Sequence, residues 1–115
     1  MTTPAYHTSD ATAATLRLAM KAILRIHEKY RFKDRYLIEM SFYEVNEKKR
    51  YPHGVKYGLI CLDTKTGNKV LMDNHHPKGD HIHLDKKEIS YDFSTPEKLI
   101  EDFKKLVLEH LGVKL

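Results

Sequence analysis

Apolar and polar residues alternate through the first third of the chain. Met20, Ala22, Leu24, Ile26, Tyr30 and Phe32 stand on even positions. Lys21, Arg25, His27, Lys29, Arg31 and Lys33 stand on odd ones, with Ile23 and Glu28 as exceptions. A period of two belongs to a strand with one dry face and one wet, basic face. A helix using Leu16, Met20, Ile23, Leu24 and His27 competes for the start of this stretch. The alternation persists to Lys33, which favours the strand. Lys33-Asp34 reads as a tight turn. Beyond it, Tyr36, Ile38, Met40 and Phe42 alternate with Arg35, Glu39 and Ser41, giving the second strand of a hairpin.

The pattern then breaks. Asn46 to Gly54 is polar and contains Pro52, so it reads as a loop. Val55 to Leu62 becomes apolar on both faces, as a central strand does. Asp63 to Asn68 is a hairpin loop, and Lys69 to Met72 is a fourth strand. His75 to Gly79 is irregular, because Pro77 cannot donate to a ladder. Ile89, Tyr91 and Phe93 suggest a short fifth strand. The last element is a helix capped by Ser94 or Thr95, with Pro96 at its start and Glu97 placed to close a capping box with Ser94. Leu99, Ile100, Phe103, Leu106, Val107 and Leu111 form its apolar stripe, and Gly112 stops it. Upstream, Ser9 or Asp10 can cap a short helix through Ala11, Ala13, Ala14, Leu16 and Leu18. The expected fold is therefore α+β: an antiparallel sheet of about four or five strands packed by a C-terminal helix, with a short N-terminal helix as an option. Residues 1–19 form an extension and residues 20–115 a single domain.

Composition narrows the class. A chain of 115 residues, 41% hydrophobic and 31% charged, supports one globular domain rather than a disordered chain. The net charge of +4 is concentrated between Lys21 and Arg35, at Lys48-Lys49-Arg50 and at Lys56. Such a field suits a polyanion or an acidic partner, or simply a solvated surface. The single cysteine, Cys61, cannot form an intrachain disulfide and sits in an apolar run, as a core residue does. No apolar stretch reaches the ~18 residues that cross a bilayer, and the N-terminus lacks an apolar signal core, so no membrane association is expected and the cytoplasm is the expected location.

Candidate chemistry is concentrated in Asp73-Asn74-His75-His76-Pro77-Lys78-Gly79-Asp80-His81-Ile82-His83, where four of the chain's eight histidines fall. Three readings compete. In the first, His81 and His83 act as general base and general acid, since imidazole titrates near neutrality. On an extended segment their rings share a face with α-carbons about 6 to 7 Å apart, a spacing that can bracket a phosphodiester. Lys78 and backbone amides near Gly79 would hold developing negative charge, and Asp80 or Asp73 would orient a ring. This chemistry needs no metal or cofactor. In the second, His81, His83 and one of His75, His76 or Asp73 bind a transition metal, with His75 the leading third ligand. In the third, the segment is an exposed polar loop.

At these residues the chain resembles the TumE family, the toxin components of TumE–TumA toxin–antitoxin modules. The resemblance runs from about Met20 to Leu108. It rests on a basic hairpin, on His53-Gly54-Val55-Lys56-Tyr57, on Asp73-Asn74 followed by Lys78-Gly79-Asp80-His81-Ile82-His83, and on Glu88, Tyr91 and Phe93 ahead of a helix bearing Leu99, Ile100, Asp102 and Phe103. It implies a small bacterial toxin that acts as a ribonuclease and is silenced by a helix-turn-helix antitoxin. It also implies that His81 and His83 lead the active site, supported by Lys78, Asp73 and Asn74. Ile82 stands where a basic or polar residue is frequent, so one phosphate contact is either missing or supplied by Arg25, Lys29 or Lys56. Asn74, His75 and His76 complete the expected RNA-binding set. The extension before Met20 lies outside the resemblance and is a candidate for antitoxin docking or homodimerisation. The rival functions are a non-catalytic module that binds nucleic acid or a partner protein, and a metal-dependent hydrolase.

Overall fold

In the computed structural model, residues 22–115 are described, with side chains from residue 26 onward. The expected helix over residues 11–18 and the extension 1–19 lie outside the described residues. The described chain forms six strands, β1 (Ala22–Phe32), β2 (Tyr36–Val45), β3 (Val55–Asp63), β4 (Lys69–Asp73), β5 (His81–Leu84) and β6 (Lys87–Ser90), then one helix, α1 (Pro96–Leu111). Each strand pairs antiparallel with the next in order β1-β2-β3-β4-β5-β6. The α+β class holds, with six strands where four or five were expected.

Parity decides the two faces. Ile38, Met40 and Phe42 of β2, Tyr57, Leu59 and Cys61 of β3, Val70 and Met72 of β4 and Ile82 of β5 are buried together. Leu99, Phe103 and Val107 of α1 are wholly buried against them. These three helical residues recur every four positions, so one stripe faces the sheet. Cys61 belongs to this core, and burial pushes its thiol up to about 11. The β1–β2 register shifts between Leu24 and Ile26, just after the break in alternation at Ile23. Lys33 and Asp34 both adopt positive φ, the backbone of a two-residue hairpin turn.

Two details differ from the expected pattern. The helix cap is Thr95, whose side chain accepts from the Lys98 amide at 3.1 Å, so the anticipated Ser94–Glu97 box does not form. Strand β6 ends at Ser90, so Tyr91 and Phe93 follow it rather than forming a strand with Ile89. The partner of Ile89 is Ile82, across a turn at Asp85 and Lys86. Asp85 adopts φ 58, and its amide and carboxylate both bond Lys69 on β4. That long-range anchoring stabilises a turn whose residues carry no Asn-Gly or Asp-Gly signal.

Side chains complete the sheet where strands run out. β3 begins at Val55, but its ladder with β4 begins only at Gly58. Asn74 fills this gap: Tyr57 N donates to its Oδ1 at 2.9 Å, and its Nδ2 donates to Val55 O at 2.8 Å. At the far end of β3, Arg35 donates two hydrogen bonds to the buried Asp63 carboxylate at 2.8 and 2.7 Å. The paired guanidinium holds the Asp63 carboxyl well below the usual range, and the Lys65 amide adds to this.

Two predictions follow from these clamps. Asn74→Ala leaves a buried N–H and a buried C=O unpaired, at about 1–3 kcal/mol each. Urea unfolding should therefore show a loss of about 2–6 kcal/mol with an unchanged m-value. For Asp63, a depressed folded pKa contributes stability that is present above the unfolded value of about 3.9 and is lost as pH falls through the folded value. Thermal melts of Asp63→Asn should thus lie below wild type at neutral pH, and the gap should close in strong acid.

Candidate functional site

On each strand the positions that alternate with the core residues face away from α1. One row crosses this helix-free face through the register Ser41–Gly58–Asp73–His81–Ser90, and a parallel row runs Glu39–Ile60–Leu71–His83–Glu88. The sheet thus brings His81 and His83 together on one short strand, with Asp73 beside the first ring and Glu88 opposite the second. The two imidazoles meet edge to face, with centroids 4.7 Å apart.

The rings differ in exposure. His81 is buried, with 8% of its side chain accessible, whereas His83 is half-buried. His81 Nδ1 lies 2.7 Å from Gly79 O. A carbonyl oxygen can only accept, so Nδ1 carries the proton in this contact. His81 Nε2 then faces two carboxylates, Asp73 Oδ1 at 2.8 Å and Glu88 Oε2 at 3.9 Å. Asp73 Oδ1 is buried and has no hydrogen-bond partner, so this close approach is an ionic contact without hydrogen-bond geometry.

Lys78 reaches the same place from the loop before β5. Its ammonium contacts both Glu88 oxygens, at 3.2 and 3.1 Å. That hydrogen bond, more than the nearby histidines, lowers the Glu88 carboxyl below its ordinary value. Gly79 has φ 78, a backbone that a glycine adopts freely and that lets the loop turn Lys78 back over β6.

On the other side of Asp73 is a depression of about 200 Å³, lined by Ser41, Tyr43, Lys56, Tyr57, Gly58, Asp73 and His75. It is smaller than the ~300–1,000 Å³ typical of small-molecule pockets. It suits one base or phosphate rather than a longer ligand. Asp73 is the wall that this depression shares with the histidine pair.

The remaining expected site residues are dispersed. Asp80 does not orient His81: its carboxylate accepts from the Tyr57 hydroxyl at 2.8 Å and lies 3.9 Å from His53 Nε2. Burial, reinforced by Asp80, pushes the Tyr57 hydroxyl far above its ordinary range. Asn74 is committed to the backbone clamp. His76 is exposed in the loop. Arg25 falls within β1, and Lys29 is exposed on that strand, four strands from β5 and so about 19 Å away. Of the described cations proposed for phosphate contact, Lys56 borders the depression.

Three groups could share a metal ion: His81, His83 and Glu88 offer ligand atoms all within 4.8 Å of one another. The third member is Glu88 rather than His75, which lies beyond Asp73. Glu88 escaped sequence reasoning as a site residue because the β5–β6 hairpin was not drawn. A turn at Asp85-Lys86 would have placed it opposite His83.

A family model described as Toxin TumE matches residues 6–111, so the chain belongs to the TumE toxin family. The match also takes in most of the segment before Met20 that lay outside the resemblance. Neither curated proteins nor solved structures give a match. The protein is thereby the toxin component of a toxin–antitoxin pair, with an antitoxin as its partner. Among the described residues, no helix is long and apolar enough to cross a membrane.

Proposed function

We propose that this TumE-family toxin is a ribonuclease that cleaves RNA by metal-independent transesterification at His81 and His83. The observation that carries this reading is the pair of imidazoles in contact at 4.7 Å, flanked by the Lys78 ammonium and beside a nucleotide-sized depression. One ring removes the proton of the 2′-hydroxyl. The 2′-oxygen bonds to phosphorus as the bond to the 5′-oxygen breaks, and the other ring returns a proton to that leaving oxygen. The products are a 2′,3′-cyclic phosphate and a 5′-hydroxyl. His83, the more exposed ring, is the one that meets substrate most directly.

The other charged groups have supporting roles. Asp73 faces His81 and stabilises it when it carries charge. Lys78 is exposed and can leave Glu88 to neutralise the crowded phosphate in the transition state. Lys56, His75 and Tyr43 would hold the neighbouring nucleotide, and Lys29 would reach only the backbone of a longer strand. A helix-turn-helix antitoxin would silence this site most directly by covering the helix-free face, on which every one of the catalytic candidates except Asp80 converges. Asp80 is better suited to holding Tyr57 and the start of β5.

The test is cleavage of labelled RNA by purified toxin in excess EDTA. Wild type should leave cyclic-phosphate ends. His83→Ala and His81→Ala should each lose about 10²–10⁴-fold in rate, the usual contribution of one acid–base group. Lys78→Ala should lose less, and RNA affinity should change little in all three. Affinity falling together with rate would make the histidines binding contacts, as in a non-catalytic module. Activity abolished by EDTA would favour a metal-dependent hydrolase.

A further inference from the structure

We infer that His81, His83 and Glu88 form a binding site for one divalent transition ion of zinc's class, and that occupancy of this site switches the histidine pair off. Two imidazoles and one carboxylate are a donor set that suits zinc and its neighbours. The ligand atoms already lie within 4.8 Å of one another. A tetrahedral shell with bonds of ~2.0–2.1 Å needs about 3.3 Å between ligands. Glu88 is exposed and His83 half-buried, so rotation of these two side chains can close that difference without moving the sheet.

The surroundings of His81 point the same way, independently of the distances among the three ligands. Its Nδ1 donates to Gly79 O at 2.7 Å, which fixes the ring and turns Nε2 toward Asp73 and Glu88. An outer hydrogen bond of this kind is what orients a metal-binding histidine. That nitrogen lies 2.8 Å from Asp73 Oδ1, buried and without a hydrogen-bond donor, and 3.9 Å from Glu88 Oε2. Two carboxylates converging on Nε2 favour positive charge at that point, which a proton or a metal ion supplies. Asp73 is then a fourth ligand, or the acceptor for a water bound to the ion.

Lys78 is the built-in competitor. Its ammonium holds both oxygens of Glu88, at 3.1 to 3.2 Å, and must withdraw before Glu88 can bind an ion. The ion binds the nitrogen lone pairs that proton transfer requires. Loss of cleavage on metal binding rests on the ribonuclease reading above, but binding itself does not.

Apo protein, stripped with chelator and dialysed, would be titrated with Zn²⁺ by calorimetry. Co²⁺ would serve as a spectroscopic probe, read from the visible absorption of a nitrogen-ligated tetrahedral site. One ion per chain should bind. Glu88→Gln and His83→Ala, both on accessible side chains, should weaken binding at least tenfold while leaving far-UV circular dichroism unchanged. Lys78→Gln should tighten it. His75→Ala/His76→Ala should bind as wild type. The site is overturned if the Glu88 and His83 variants bind as wild type, or if the His75/His76 variant loses the ion instead. In a parallel assay, stoichiometric Zn²⁺ should suppress RNA cleavage by wild type. Zinc binding without RNA cleavage in the apo protein would sink the ribonuclease reading and leave the metal site standing. RNA cleavage that persists with zinc bound would overturn the switch.

Discussion

Everything in this domain follows from the strict alternation of side chains across an antiparallel meander. Once α1 covers one face of the sheet, each strand position has only one of two environments, and a shift of one residue would exchange them. Ile82 must enter the core with Met72 and Ile89, so His81 and His83 are forced to the opposite face. The same parity sends Asp73 and Glu88 there. The chemistry is therefore a by-product of register: three short strands place four ionisable side chains together because a single apolar residue between the histidines is anchored in the core. Ile82 thus holds β5 from the core side, between Met72 and Ile89.

Short strands need help to keep their register. β5 and β6 have four residues each, too few to hold an edge by backbone bonds alone. Asp85 ties their turn to Lys69, and its other carboxylate oxygen contacts His110 near the end of α1 at 2.8 Å. Asn74 joins the exit of β4 to the start of β3. The Tyr57 hydroxyl, bonded to Asp80, fixes the entry to β5 from the core side. Residues that look catalytic by type thus divide into those that hold the hairpin and those that it presents. Asp80 and Asn74 belong to the first group; His81, His83, Asp73 and Lys78 belong to the second.

Much of this was legible in the sequence because the signals were local. The period of two through β1 and β2, the Lys33-Asp34 turn and the stripe Leu99, Phe103, Val107 depend only on neighbours a few residues away. Pro96 and Gly112 bounded the helix correctly. What was not legible depended on distant partners. The turn at Asp85 is stabilised from β4, so its residues carry no strong turn code, and β5 was not assigned as a strand, the fifth expected strand at Ile89 being β6. Without that hairpin, Glu88 had no visible relation to His83, and Asp80 looked as suitable as Asp73 for orienting an imidazole. Sequence adjacency favoured Asp80; cross-strand register favours Asp73.

The proposed proton transfer and the proposed metal binding both depend on the electrostatic balance of the site. A domain of net charge +4 places two carboxylates beside its histidine pair. For catalysis on a phosphodiester alone, added negative charge repels the substrate, and Glu88 would be a disadvantage without Lys78 to neutralise it. With Lys78 engaged, the Glu88 side chain presents little net charge to RNA. With Lys78 withdrawn, the same carboxylate joins two imidazoles as a donor to a cation. In the two proposals the lysine sits at the branch point: while its ammonium stays at the site, shared between Glu88 and a substrate phosphate, it would oppose a cation, and once withdrawn it would leave Glu88 to bind one. A single exposed ammonium can hold that balance because its pairing is weak enough to exchange, unlike the two-pronged bond of Arg35 to the buried Asp63 carboxylate.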